Sequence, residues 1–176
     1  MSRERRRYAR VETNLRGWAR RLDSGQAPPL FNECTLPSTR GEGALLQSSS
    51  LHEGVVAFLG ELSNKLDTLI SLVTRDRLEN DFPLRVDILN VSGAGILFQC
   101  DEEFALNDHL EIVLILNQLP LRMAGAIGQI TRIDSRETGP AYALLFTRIR
   151  EPDQETVVQF VFQEERYKIR QQRRET

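Results

Sequence analysis

The stretch LRVDILNVSGAGILF, residues 84–98, predicts two strands joined by a turn. Apolar residues alternate with polar ones from Leu84 to Ile88, as in a strand with one buried face. A second apolar run begins at Ile96. The residues between, 90–95, are rich in glycine and small polar side chains, which is typical of a turn. The stretch therefore favours consecutive strands of a β-sheet.

The same alternation recurs on both sides of this stretch. Residues 11–22 predict a first strand, and residues 110–116 are apolar on both faces, which predicts a buried strand. Residues 121–133 and 141–149 predict two more strands, joined by a turn at residues 137–140. The fold class is therefore predicted to be mainly β and antiparallel.

A long helix is predicted to interrupt these strands. Residues 51–80 contain no proline, and apolar residues recur at alternating spacings of four and three, which is a heptad seam. The seam consists of Val55, Leu59, Leu62, Leu66, Leu69 and Val73. We expect self-association through helix 51–78 into a homo-oligomer, a dimer or a tetramer. Four apolar residues beside the seam could face the chain's own β domain: Val56, Phe58, Ile70 and Leu72. The alternative is that the whole helix packs on that domain.

Two further segments complete the organisation. Residues 23–50 are rich in proline, glycine and serine, and are read as a loop or linker. Residues 151–176 predict a closing helix, with acidic residues near its start and arginines near its end, as the helix dipole favours. Its expected apolar face is Val157, Val158, Val161 and Phe162.

The patterns of common catalytic and metal sites are missing from the sequence. His52 and His109 have no cysteine, histidine or carboxylate at metal-ligand spacing, so we expect no metal site. There is no nucleophile elbow and no dinucleotide fingerprint, and we expect no catalytic residues and no cofactor. Cys34 and Cys100 do not form a disulfide framework. The charged start of the chain and the short apolar runs predict neither a signal peptide nor a membrane span, so the expected location is the cytoplasm.

Two short segments carry a binding hypothesis. The first is arginine-rich, with Arg6 and Arg10 in R-x-x-x-R spacing and Arg5 before them. A guanidinium can donate two parallel hydrogen bonds to a phosphate and can stack on a base. These side chains therefore suit a ligand with phosphates and purines. The alternative is a solvated basic tail.

The second segment contains Asn90, Ser92 and Gly95. An asparagine side chain offers a donor and acceptors, which the edge of guanine requires. The serine adds a hydroxyl group, and the glycine permits an approach that a Cβ would prevent. The alternative is a glycine-rich turn with no ligand.

Together the two segments resemble the signature of the PilZ family of cyclic di-GMP receptors: R-x-x-x-R before the first strand, then [D/N]-x-S-x-x-G between later strands. The resemblance implies an antiparallel β-barrel with a C-terminal helix and cyclic di-GMP as the ligand. Residues 1–22 would supply the arm and first strand, and residues 81–150 the remainder of the barrel. The loop and heptad helix form an insertion, as in a helix-bearing, oligomeric variant that signals through an unidentified downstream protein.

Three alternatives to this reading remain open. The chain could be a PilZ-like scaffold that has lost nucleotide binding and acts through protein contacts. It could bind nucleic acid through its basic arm, although the net charge of −2 and the few aromatic residues near the arginines do not favour this. An enzyme would require a site hidden in residues 23–50.

Overall fold

The computed structural model describes residues 9–31, 52–118 and 120–172. Within these residues, six strands and two helices follow one another: β1 (Arg10–Leu22), α1 (Glu53–Asp81), β2 (Leu84–Ser92), β3 (Gly95–Gln99), β4 (His109–Gln118), β5 (Leu121–Arg136), β6 (Gly139–Ile149) and α2 (Glu151–Gln172). The predicted mainly β class, the inserted helix and the closing helix are confirmed.

The six strands form a closed antiparallel barrel in the order β1-β2-β3-β6-β5-β4. The barrel closes because β4 pairs with β1, for example Trp18 with Val113. Closure leaves no unpaired strand edge within the sheet, and an unpaired edge would invite pairing with other chains. In sequence, the inserted helix falls between β1 and β2. These two strands still pair with each other, so the insertion does not interrupt the barrel.

The interior of the barrel is filled by alternate residues of each strand, as a period of two requires. On β4, Leu110, Ile112 and Leu114 belong to the main core. Helix α2 adds Val157 and Val161 to the same core, so it is anchored on the barrel along its inner face. Phe162 is 56% exposed, so its predicted place on the apolar face of this helix is wrong.

Helix α1 is buried only near its C-terminal end, at Thr74 and Leu78. Leu78 joins a second apolar cluster on the outside of the barrel, together with Trp18 and Phe82. The prediction that Phe58 and Leu72 face the barrel is wrong, since these side chains are 64% and 58% exposed. Most of α1 therefore extends away from the barrel wall. Among the helices of the described residues, none is long and apolar enough to cross a membrane.

Residues 23–31, which we call the strap, cross the outside of the barrel without forming a helix or strand. A buried carboxylate holds them. Glu111 Oε1 accepts hydrogen bonds from the backbone N–H groups of Leu30 and Phe31, both at 2.8 Å. Glu111 Oε2 pairs with the guanidinium of Arg20 at 2.6 Å. The rest of the predicted loop, residues 32–50, lies outside the described residues.

Candidate functional site

The turn predicted at residues 90–95 is shorter in the structure. Asn90 and Ser92 belong to β2, and Gly95 is the first residue of β3, so the prediction that all six residues form the turn is wrong. Only Gly93 and Ala94 connect the strands. The strands continue because Ser92 pairs with Gly95 and Asn90 pairs with Leu97. The motif is therefore held in a sheet and is not a loose loop.

A β-bulge determines which way Asn90 points. Ile88 pairs with Phe98 and Asn90 pairs with Leu97, so Leu89 is an extra residue without a partner on β3. Ile88 is fully buried in the core. In a regular strand Asn90 would share its face and point inward. The bulge shifts the alternation by one residue, and Asn90 is therefore presented on the outer face.

Strand register gathers the motif residues into two adjacent rows on that outer face. In the first row Arg10 pairs with Ser92, Ser92 with Gly95, and Gly95 with Leu145. In the second row Glu12 pairs with Asn90, Asn90 with Leu97, Leu97 with Ala143, and Ala143 with Arg132. The two predicted segments, distant in sequence, thus meet across neighbouring strands.

A shallow cavity of about 110 Å³ lies over these rows. Four of the sequence-predicted residues line it: Arg10, Asn90, Ser92 and Gly95. Arg10 is exposed, and Asn90 is half-buried. Arg5 and Arg6 lie outside the described residues. The structure therefore brings together every predicted ligand-binding residue that it describes.

Ser92 stabilises the turn next to the cavity. Its hydroxyl donates to the carbonyl oxygen of Gly95 at 3.0 Å and accepts from the backbone N–H of Ala94 at 3.3 Å. The side chain is largely buried, with 5% of the residue exposed. Its contribution to the site is therefore first of all to fix the backbone on which the other residues stand.

Gly95 is required by close packing between strands. A Cβ at this position would overlap the carbonyl oxygen of Leu144 on β6, so no side chain fits without moving the backbone. The missing side chain also leaves the floor of the cavity bare. The predicted close approach at Gly95 is thus found, with β6 as the neighbouring backbone.

Sequence reasoning missed the far side of the cavity. Leu97, Ala143 and Leu145 supply an apolar surface from β3 and β6, and Arg132 supplies a second cation from β5. None of these residues belongs to a short motif. Only the pairing of β3, β6 and β5 brings them to the site.

A second cavity, of about 380 Å³, lies between the C-terminal part of α1 and the barrel. Trp18, Leu78 and Cys100 are among its lining residues. Burial raises the pKa of the Cys100 thiol above its ordinary value, and the nearby carboxylates of Glu102 and Asp101 act in the same direction. No group of three or more histidine, cysteine or carboxylate side chains that could hold a metal ion occurs within residues 9–31, 52–118 and 120–172.

A family model described as PilZ domain matches residues 66–163, more than half of the chain. No curated protein matches the chain. Among solved structures, the chain is similar to an inhibitor of motility from Bacillus subtilis, with a TM-score of 0.52 and 15% identity, over 94% of this chain and 53% of that one. The chain thus spans about half the length of the Bacillus protein.

Two further solved structures are similar. One is a pathogenic protein from Xanthomonas campestris, described as a tetrameric PilZ domain self-assembled via an unusual helical bundle, with a TM-score of 0.57 and 14% identity over 93% of this chain and 92% of that one. The other is the PilZ domain of YcgR from Escherichia coli with c-di-GMP, with a TM-score of 0.41 and 14% identity over 53% and 79%. Identities this low indicate likeness of fold alone.

Proposed function

The chain belongs to the PilZ domain family, and from that premise we propose that it is a cyclic di-GMP receptor that self-associates through α1. One observation carries the ligand half of the proposal: Arg10 of the first motif pairs directly with Ser92 of the second, which in turn pairs with Gly95. The long insertion between the motifs has not separated them in space.

The chemistry of the cavity suits a ligand with phosphates and purines. The Arg10 guanidinium can bind a phosphate or stack on a base. Asn90 offers an amide that can both donate to and accept from the edge of guanine. Leu145, which is 48% exposed, and the half-buried Ala143 add an apolar surface of the kind against which a base can lie. These features support binding rather than catalysis.

Titration calorimetry with cyclic di-GMP tests this half. A charge-assisted Arg–phosphate hydrogen bond contributes roughly 1.5–3 kcal/mol, so Arg10→Ala should weaken binding by roughly ten- to a hundredfold. By the motif resemblance, Arg6→Ala should do the same. Arg16→Ala is the matched control, because Arg16 is an exposed arginine on the same strand that lines the other cavity.

The control should bind as the wild type does. If the wild-type protein gives no heat with cyclic di-GMP, the chain has the PilZ fold but does not bind this ligand. The chain would then be a PilZ scaffold that acts through protein contacts alone.

The self-association half rests on the exposure of the heptad seam. Leu62, Leu66 and Leu69 are 44%, 50% and 58% exposed in the single chain. Val55 and Val73 are exposed as well, and Leu59 is half-buried. Helix α1 turns Thr74 and Leu78, which lie roughly 100° and 140° around the helix from the centre of the seam, towards the barrel. The seam is therefore free to pack against another copy.

The width of this apolar face favours a tetramer over a dimer. Phe58 and Leu72 flank the seam on one side, and Val56 and Ile70 flank it on the other. A strict a/d stripe is the narrow seam of a two-stranded coil, whereas a broader stripe can be buried by more than one neighbouring helix. The tetrameric helical bundle of the Xanthomonas protein supports the same arrangement. Light scattering should give a tetramer, and a monomer at micromolar concentration would contradict the proposal.

A further inference from the structure

A second β-bulge lies on the opposite side of the candidate site, on β5. Ile130 pairs with Leu144 and Arg132 pairs with Ala143, so Thr131 is an extra residue on β5. The Thr131 hydroxyl donates to the carbonyl oxygen of Ala143 at 3.3 Å. The bulge near Asn90 has a similar hydrogen bond, from the Thr13 hydroxyl to the carbonyl oxygen of Ile88 at 3.0 Å. A threonine hydroxyl thus supports the backbone at each edge of the site.

The bulge at Thr131 decides where Arg132 points. Ile130, Leu144 and Tyr142 face the core. In a regular strand Arg132 would pair with Tyr142 and share its inward face. The extra residue places Arg132 opposite Ala143 instead, and Arg132 therefore lines the outer cavity with Arg10. Bulges that redirect a side chain are common next to functional sites.

The Arg132 side chain is also held in a defined orientation. Its Nε and Nη2 atoms donate to the two carboxylate oxygens of Asp134, at 2.7 and 2.9 Å. This contact uses the edge of the guanidinium formed by Nε and one N–H group of Nη2. The fork formed by Nη1 and Nη2 keeps N–H groups for a second anion. Because the side chain is already ordered by Asp134, binding an anion costs less conformational entropy.

A purely structural role does not account for this arrangement. The Arg132–Asp134 pair is exposed, with 59% and 31% of the two side chains accessible, and exposed ion pairs contribute little to stability. Together, the bulge and the contact with Asp134 present the guanidinium of Arg132 to the cavity on the outer face of the barrel.

We propose that Arg132 is a further ligand-binding residue, which contacts the half of cyclic di-GMP that the two sequence motifs do not reach. This inference rests on the proposed function. Asn90 and Arg132 lie three strands apart in one row, which is on the order of 14 Å at the usual strand spacing. Asn90 and Arg132 therefore contact opposite ends of a ligand that lies over Leu97 and Ala143.

The experiment is titration calorimetry with cyclic di-GMP on single variants of the full chain. Loss of a charge-assisted phosphate contact predicts roughly ten- to a hundredfold weaker binding for Arg132→Ala. Arg132→Lys keeps the charge and loses the fork, and should bind with intermediate affinity. Arg136→Ala is the matched control, an exposed arginine at the far end of the same strand, and its affinity should equal that of the wild type.

The outcomes separate the two proposals. Wild-type affinity in Arg132→Ala, with binding lost in Arg10→Ala, would overturn the role of Arg132 and leave the receptor function standing. Equal weakening by Arg132→Ala and Arg136→Ala would also overturn it, because diffuse charge would then explain the effect. A wild-type protein that gives no heat overturns the receptor function itself. The melting temperature of each ligand-free variant, expected to equal that of the wild type, excludes loss of fold as the cause.

Discussion

At the scale of single residues, the informative positions are those where a side chain is out of its usual environment. Glu111 is 1% exposed on a strand that otherwise reads as apolar. It is tolerated because its carboxylate meets Arg20 and two backbone N–H groups of the strap. A buried charge needs such partners, since an unpaired one carries a large desolvation cost. The carboxylate joins the strap to the barrel wall, together with the Arg148 guanidinium, which donates to the carbonyl oxygens of Gly25 and Ala27, and the buried side chain of Phe31.

Replacing Glu111 should loosen the strap and lower stability. Glu111→Ala leaves the N–H groups of Leu30 and Phe31 and the Arg20 guanidinium without their acceptor, at a cost of about 3 kcal/mol. Urea denaturation measures the loss. Glu79→Ala is the control, because Glu79 pairs with Arg85 at the surface and its loss should cost at most about 1 kcal/mol. Equal effects of the two substitutions would contradict the role given to Glu111.

Two glycines offer a matched test of close packing. Gly95→Ala places a Cβ against the Leu144 carbonyl oxygen, and overpacking of this kind costs about 1–3 kcal/mol. Gly60→Ala meets nothing within 4 Å on α1, and should stabilise the helix by about 0.5–1 kcal/mol. Thermal denaturation should shift in opposite directions for the two variants. A neutral Gly95→Ala would mean that β3 and β6 can separate at no cost.

At the scale of elements, α1 differs from every other part of the fold. The strands and α2 bury apolar residues in the core, whereas the apolar residues of α1 are mostly exposed. Most helices in proteins gain their stability from tertiary packing of an apolar face rather than from intrinsic helix propensity. Helix α1 therefore keeps an apolar face that its own barrel does not cover.

Charge placed in the seam should disrupt the assembly. Leu62→Asp with Leu66→Asp removes two aliphatic side chains, each worth roughly 1.5–3 kcal/mol on burial, from every helix of a bundle. Light scattering should then report a monomer. Asn64→Asp with Thr68→Asp is the matched control, since it adds the same charges at the same spacing on the opposite side of α1 and should leave the assembly intact. Dissociation of the control would point to charge rather than to the seam.

At the scale of the whole molecule, the two proposed activities occupy different parts of the structure. The candidate site is built by β1, β2, β3, β5 and β6. Helix α1 meets the barrel through its C-terminal end, beside Trp18 and Phe82. No residue of α1 lines the candidate site within the described ranges. Ligand binding and assembly should therefore be separable.

The dissociated protein should still bind its ligand. In the Leu62→Asp, Leu66→Asp variant, the affinity for cyclic di-GMP should stay within about twofold of the wild type, because substitutions at distant, unconnected positions act independently. Calorimetry on the monomeric variant provides the measurement. A large loss of affinity would instead mean that a second copy completes the site.

The sequence alone determined the local elements and the two motifs. Alternation with a period of two predicted the strands, the heptad spacing predicted α1, and the motif letters singled out Arg10, Asn90, Ser92 and Gly95. These signals are local, because strand alternation, helix periodicity and motif spacing depend on residues close together in the chain. Oligomerisation through the seam stays a prediction.

Only the tertiary structure decided how these parts meet. The closure of the barrel, the outward direction of Asn90, the buried Glu111 and the place of Arg132 in the site all depend on register between strands far apart in sequence. A bulge moves every following side chain to the other face, and it is set by the partner strand as well as by the local residues. For that reason the motif residues were visible in the sequence, while the far half of the site became visible only when β3, β6 and β5 were paired.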